Sequence, residues 1–277
     1  MYTFVDKDGQ PNQTIEKGLS KLEDQFERLR RDKIMRSEPL TDEDKATLCL
    51  FVATAHFRTQ RSQSHWREQW GRVAVMGERM TEHMQSLSAE ERAAMQTPLP
   101  GTGPTFNQDE IRLLADSVRM LPMVTTREAE LLSYMTVTIF CTSDDSPFIT
   151  SDSPVVWFDP ELYKMPLFYR NLALGSPTIE VTMPIAPSKF LLMRHGGDQE
   201  QYLNISPAEN AGANISLLPS HLVDVLNRLS AIGAELLDEF NRRTRFHCDE
   251  HFVSSSDQKK DIWFDPGTPP PDWREVS

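Results

Sequence analysis

Met135-Thr136-Val137-Thr138-Ile139-Phe140 is the stretch in which the hydrophobic pattern of this 277-residue sequence changes from a helical to a strand period. Apolar side chains alternate there with threonines, which is typical of a half-buried strand. Pro, Asp, Ser and Gly separate four further short runs of β-branched or aromatic residues, at 148–150, 155–158, 179–183 and 190–193. Together these runs predict a small antiparallel or mixed sheet.

The sequence before residue 134 has the period of amphipathic helices. One apolar stripe recurs every three or four residues on a helix predicted over residues 14–31, and it consists of Ile15, Leu19, Leu22, Phe26 and Leu29. Thr41, followed by three acidic residues, predicts the start of a second helix. A capping residue with a glutamate three positions later predicts further helix starts at Ser88, Asn107 and Thr125.

These patterns predict an α+β fold. We expect a helix-rich N-terminal half packed on the small antiparallel or mixed sheet, and a long C-terminal helix. One face of that helix is expected to carry Leu222, Val225, Leu226, Leu229, Gly233 and Leu236. The whole chain, 1–277, is predicted to be a single domain. Its helical part covers about 10–133, its sheet part with the closing helix about 134–256, and a Pro-rich tail 257–277.

Composition limits the classes of function. A formal net charge of -12 disfavours general nucleic-acid binding and an anionic membrane surface, although it does not exclude a local basic patch. Three widely separated cysteines indicate neither a disulfide framework nor a paired zinc site, which favours a reducing cytoplasm. We therefore expect a soluble cytoplasmic protein with no membrane partner, and self-association to a homo-oligomer is compatible with the sequence.

Five separated segments are notable for their order along the chain. They are Ile15-Glu16-Lys17-Gly18-Leu19-Ser20 with Leu22-Glu23, then Phe57-Arg58-Thr59-Gln60-Arg61, then Phe148-Ile149-Thr150-Ser151-Asp152-Ser153-Pro154-Val155-Val156, then 181–187 with Leu191, and finally Asn227. In this order they resemble the bacterial domain-of-unknown-function family numbered 4238. The resemblance spans most of the chain and implies a standalone bacterial cytoplasmic protein, but it implies no particular activity. Family members usually begin with a His-Tyr-Val-Pro-like segment that this sequence lacks, so no role of that histidine is carried over.

Thr150-Ser151-Asp152 lies where an apolar strand is expected to end, because Pro154 cannot donate to a continuing ladder. Two interpretations of this corner remain open. In the structural one, the Ser151 and Asp152 side chains accept backbone N–H groups two residues ahead and close a turn. In the functional one, Asp152 points into a cleft as a metal ligand or general base, with Ser151 and Thr150 as hydrogen-bond donors.

Three charged residues of the helical half are candidate partners for this corner. Glu16 and Glu23 are seven residues apart and flank the first apolar stripe, so both could reach one cleft. Arg58 lies at the edge of the second helix's stripe and could clamp phosphate or carboxylate. The alternative is that the two glutamates and Arg58 are charged boundary residues that form ordinary ion pairs.

Two classes of function follow, and the sequence leaves open whether the protein is an enzyme. The first is a hydrolase acting on a phosphate-containing substrate, such as a nuclease-like defence or toxin effector, in which Asp152 with Glu16 or Glu23 holds a divalent metal and Arg58 neutralises phosphate. The second is a non-enzymatic ligand- or protein-binding regulatory protein. An open cleft shared by Asp152, Glu23 and Arg58 would favour the enzyme, whereas mutual pairing of these groups would favour the second class.

Overall fold

The computed structural model describes residues 4–5, 11–91, 108–142, 148–162, 173–196, 202–205, 232–248 and 251–254. The helices are α1 (Thr14–Leu29), α2 (Asp42–Phe57), α3 (Gln60–Ser86), α4 (Gln108–Leu114), α5 (Ser117–Ser133) and α6 (Ile232–Phe246). The strands are β1 (Phe4–Val5), β2 (Pro11–Asn12), β3 (Thr136–Cys141), β4 (Thr150–Ser151), β5 (Val156–Phe158), β6 (Glu180–Ala186), β7 (Lys189–Arg194), β8 (Tyr202–Asn204) and β9 (Phe252–Val253). The fold is α+β, as predicted.

The chain divides into two compact units. One comprises residues 1–17 and 60–124, and the other comprises residues 18–59 and 125–277. The predicted single-domain organisation stays a prediction. The predicted Pro-rich tail, 257–277, and the predicted apolar helix face over residues 222–231 lie outside the described residues.

The first unit contains the long helix α3 and the short helix α4. The Trp66 indole donates a hydrogen bond of 2.7 Å to the carbonyl oxygen of Leu114, at the end of α4. An ion pair of 2.8 Å between Arg112 and Glu78 joins the same two helices. The helix start predicted at Ser88 is confirmed, because residues 89–91 are helical. The Ser88 hydroxyl accepts from the Glu91 N–H, and the Glu91 carboxylate accepts from the Ser88 N–H.

The second unit is organised around a five-stranded mixed sheet with the strand order β5-β6-β7-β3-β8. β5, β6, β7 and β3 pair antiparallel along that order, and β8 joins β3 in parallel. The register of β6 against β7 shifts between Pro184 and Ala186. The sheet predicted as antiparallel or mixed is therefore mixed.

Alternation along the strands directs side chains into two apolar clusters. Val137 and Ile139 of β3 lie in a cluster with Phe26 of α1 and Val52 of α2. Phe140, the next residue of β3, lies in the other cluster, whose further members are Phe148, Phe190, Leu192, Ile205 and, from α6, Leu237 and Phe240. Helices thus cover the sheet on both faces. Successive side chains of a strand point to opposite faces, which explains the two-residue period of the pattern at 135–140.

Two predicted helix starts have different outcomes. Thr41 is the N-cap of α2, and the Asp44 carboxylate accepts a hydrogen bond of 2.8 Å from the Thr41 N–H, which completes the predicted capping box. The helix start predicted at Thr125 is wrong, because α5 already begins at Ser117. Thr125 is buried inside that helix, and Glu128 contacts another element.

Candidate functional site

An open groove of about 570 Å³ lies between α1, α2 and the end of β6 in the second unit. We call it the α1–α2 groove. Most of its lining is apolar: Leu19, Leu22, Phe26, Phe51, Ala55, Pro154, Met183, Pro184 and Ile185. The apolar lining residues of α1, Leu19, Leu22 and Phe26, belong to the predicted apolar stripe, and the Phe26 and Phe51 rings stack there with centroids 3.6 Å apart.

Two of the predicted site residues, Glu23 and Arg58, meet at the rim of the α1–α2 groove. They form an ion pair between α1 and the residue that ends α2, with side chains 49% and 34% exposed respectively. A guanidinium at a helix C-terminus is favourably placed beside the last carbonyl groups. The charge of Arg58 is therefore already compensated within the protein.

A second ion pair lies on the same rim. The Arg30 guanidinium contacts both carboxylate oxygens of Glu27 at 2.7 Å, in the bidentate geometry that arginine favours. This hydrogen bonding lowers the pKa of Glu27 from its ordinary value. Asp24 completes the charged lining and makes no ion pair with any residue in the described parts of the chain.

The three residues of the predicted corner, Thr150, Ser151 and Asp152, make different contacts, and only Thr150 lines the α1–α2 groove. The Ser151 hydroxyl accepts a hydrogen bond of 3.2 Å from the Ser153 N–H, which is the predicted turn. Asp152 is exposed and is not among the groove-lining residues; its carboxylate accepts from the His251 N–H at 3.0 Å, and its own N–H donates to the His251 carbonyl at 2.9 Å.

Glu16 lies in the first turn of α1 and is not among the residues that line the α1–α2 groove. The structure thus brings Glu23, Arg58 and Thr150 to one groove and places Asp152 in the pairing of β4 with β9. Across the described residues, no group of three or more His, Cys, Asp or Glu side chains is arranged to hold a metal ion.

A second polar cluster, around His56 of α2, was not predicted from the sequence. The Nδ1 atom of His56 lies 3.2 Å from the Glu128 carboxylate, and the imidazole stacks on the Trp157 indole with centroids 4.0 Å apart. The buried indole N–H of Trp157 has no hydrogen-bond partner among the described residues. These three residues come from α2, α5 and β5, so no local spacing could have indicated the cluster.

A third cluster contains a buried lysine and a thiol. Lys189 is 7% exposed, and its ammonium donates hydrogen bonds to the Ser37 hydroxyl at 2.7 Å and to the Cys141 sulfur at 2.8 Å. The ammonium also lies 5.5 Å from the centre of the Tyr202 ring. Burial, followed by the nearby acidic groups including Cys141, raises the pKa of Tyr202 to about 12.

Comparison with known proteins identifies a family but no activity. A family model described as "Protein of unknown function (DUF4238)" matches residues 1–259. Neither the curated proteins nor the solved structures contain a match to this chain. In the portions of the chain described by the structure, no helix is both long enough and apolar enough to cross a membrane.

Proposed function

Because the chain belongs to the DUF4238 family, described as of unknown function, we propose a function from the α1–α2 groove. The protein is a non-enzymatic binding protein that takes an apolar group of a small ligand into this groove. The observation that carries the proposal is the combination of an apolar lining with arginines already paired to glutamates. The groove volume of about 570 Å³ lies within the ~300–1,000 Å³ common for small-molecule sites.

The pairing of Glu23 with Arg58 supports binding over phosphate chemistry. A phosphate group at Arg58 would lie close to the Glu23 carboxylate, which already compensates the guanidinium charge and would repel the phosphate. An apolar group meets no such repulsion, and it contacts Leu22, Phe51 and Ile185 and releases water from them.

Filling the groove tests the proposal. Ala55 lines the groove on α2, whereas Ala46 lies exposed on the same helix outside the groove. With N-phenyl-1-naphthylamine, a neutral apolar dye that fluoresces in apolar surroundings, we expect Ala55→Phe to weaken binding at least ~10-fold by occupying the site. Ala46→Phe, with the same change in helix propensity, should bind the dye as the unaltered protein does. Equal dye binding by both variants would refute the proposal.

A hydrolase acting on a phosphate-containing substrate, including a nuclease-like effector, is the second candidate. The observation in its favour is that Arg58, Glu23 and Thr150 line one groove. Its test is hydrolysis of bis(p-nitrophenyl) phosphate with Mg²⁺ or Mn²⁺. The hypothesis predicts that Asp152→Ala and Glu23→Gln abolish metal-dependent turnover without lowering the melting temperature. A variant that keeps full turnover would remove that residue from the catalytic set.

A further inference from the structure

The charged residues around the α1–α2 groove indicate the sign of the charge that the proposed ligand carries. Glu23 and Glu27 are compensated by Arg58 and Arg30, and Asp24 remains, so the charged lining sums to one net negative charge. A negative rim attracts a cation and repels an anion.

The last turn of α2 adds to this negative potential. Thr54 and Ala55 line the groove within that turn, which ends at Phe57. The carbonyl groups at a helix C-terminus carry the negative end of the helix dipole, equivalent to roughly half an elementary charge, and this end favours a cation within about one turn. The dipole and Asp24 act in the same direction, and Arg58 offsets only part of the dipole, because its charge is also paired with Glu23.

We propose that the ligand of the α1–α2 groove is a small organic cation, in which a hydrocarbon part occupies the apolar lining and an ammonium group lies at the rim beside Asp24. This inference rests on the proposed function. The hydrocarbon contacts Leu22, Phe51 and Ile185, and the ammonium group stays partly in water, so it keeps most of its hydration. The site is a small-ligand site because its volume of about 570 Å³ is that of a small-molecule pocket.

Three ligands with the same hydrocarbon chain test the inference: n-octylammonium, n-octanol and n-octanoate. Each competes with N-phenyl-1-naphthylamine for the groove of the full chain, and calorimetric titration measures each directly. We expect octylammonium to bind about 3- to 10-fold more tightly than octanol, and octanoate to bind most weakly, as one partly screened charge implies. Added salt should reduce the difference between octylammonium and octanol.

Substitution of the acidic group supplies the matched control. Asp24→Asn should bring the affinity for octylammonium close to that for octanol, while the affinity for octanol stays unchanged. Glu43→Gln removes an exposed carboxylate of α2 that does not line the groove, and it should preserve the preference for the cation. Both substituted side chains are exposed, so circular dichroism should report an unchanged fold.

The outcomes separate this inference from the proposed function. Equal binding of the three ligands, or a preference for octanoate, overturns the inference while Ala55→Phe still weakens binding, so the proposed function stands. Failure of both the dye and octylammonium to bind the unaltered protein overturns both. Preference for octylammonium that Asp24→Asn leaves intact shows that Asp24 does not select the ligand and overturns the placement of the ammonium group.

Discussion

Arg243 of α6 and Glu180 of β6 form a buried ion pair, and replacing either residue alone is expected to destabilise the protein strongly. Their side chains are 5% and 3% exposed, and the contact measures 2.7 Å. The Arg243 guanidinium also lies 4.1 Å from the centre of the Phe158 ring and contacts Glu239 at 3.0 Å. Glu180→Gln removes the negative charge at constant shape, and Arg243→Met removes the positive one.

The magnitude follows from the charge that each change leaves behind. Breaking a buried pair by removing one partner costs about 3–5 kcal/mol, because the remaining charge stays out of water. Glu180→Gln should fall near ~3 kcal/mol, since Arg243 keeps its contact with Glu239. Arg243→Met should approach ~5 kcal/mol, since it also removes the contact with the Phe158 ring. The double variant leaves no fully buried isolated charge, because Glu239, which loses its contact with Arg243, is 29% exposed. Its loss should therefore be at least ~2 kcal/mol smaller than the sum of the single losses.

Urea denaturation followed by circular dichroism measures these free energies of unfolding. The matched control is the exposed pair Arg127–Glu130, whose side chains are 77% and 54% exposed. Arg127→Met and Glu130→Gln should each cost no more than ~1 kcal/mol and should be additive. If the substitutions of Arg243 and Glu180 cost no more than those of the control pair, the reasoning about buried charge is wrong.

Three further predictions concern single groups. Burial raises the pKa of Cys49 from 9.0 to about 11, and the residue is only 1% exposed, so at pH 8 iodoacetamide should alkylate it at least ~100-fold more slowly in the folded than in the unfolded protein, as peptide mass spectrometry measures. Tyr202, with its pKa raised from 10.0 to about 12, should show phenolate absorbance only near pH 12, identified by difference from Tyr202→Phe; its contribution to stability is complete below pH 10 and lost as the pH rises toward 12. Thr41→Ala removes the N-cap of α2 and should lower the free energy of unfolding by about 1 kcal/mol, whereas Thr41→Ser should restore it.

The parts of the fold that the sequence predicted depend on local periodicity. Leu19, Leu22, Phe26 and Leu29 are all buried, because their three- and four-residue spacing places them on one side of α1. The strand pattern at 135–140 was confirmed as β3 for the equivalent reason, since residues two apart share a face. Such patterns record which side of an element meets the core.

The parts that the sequence missed depend on contacts between distant residues. β8 has only three residues, and it joins the sheet through parallel pairing with β3, about sixty positions earlier. Thr125 and Glu128 have capping-box spacing, but Glu128 contacts His56, and α5 passes through Thr125 despite Pro122 in its interior. In the α1–α2 groove, helix periodicity predicted that Glu23 lies beside the apolar stripe of α1 and Arg58 at the edge of the apolar stripe of α2. Their ion pair depends on how the two helices pack, which the sequence did not indicate.

β6 contributes residues to both the groove and the core. Substitutions on the β6 side of the groove are therefore expected to be less well tolerated than those on its helical side. Met183 of β6 is buried and lines the α1–α2 groove, and Glu180, three residues earlier on the same strand, forms the ion pair with the buried Arg243 of α6. Under the proposed binding function, substitutions on β6 would therefore alter stability and ligand selection together. On the helical side, Ala55 and Asp24 are partly or fully exposed, so substitutions there would change the ligand preference of the proposed site while the sheet stays unchanged.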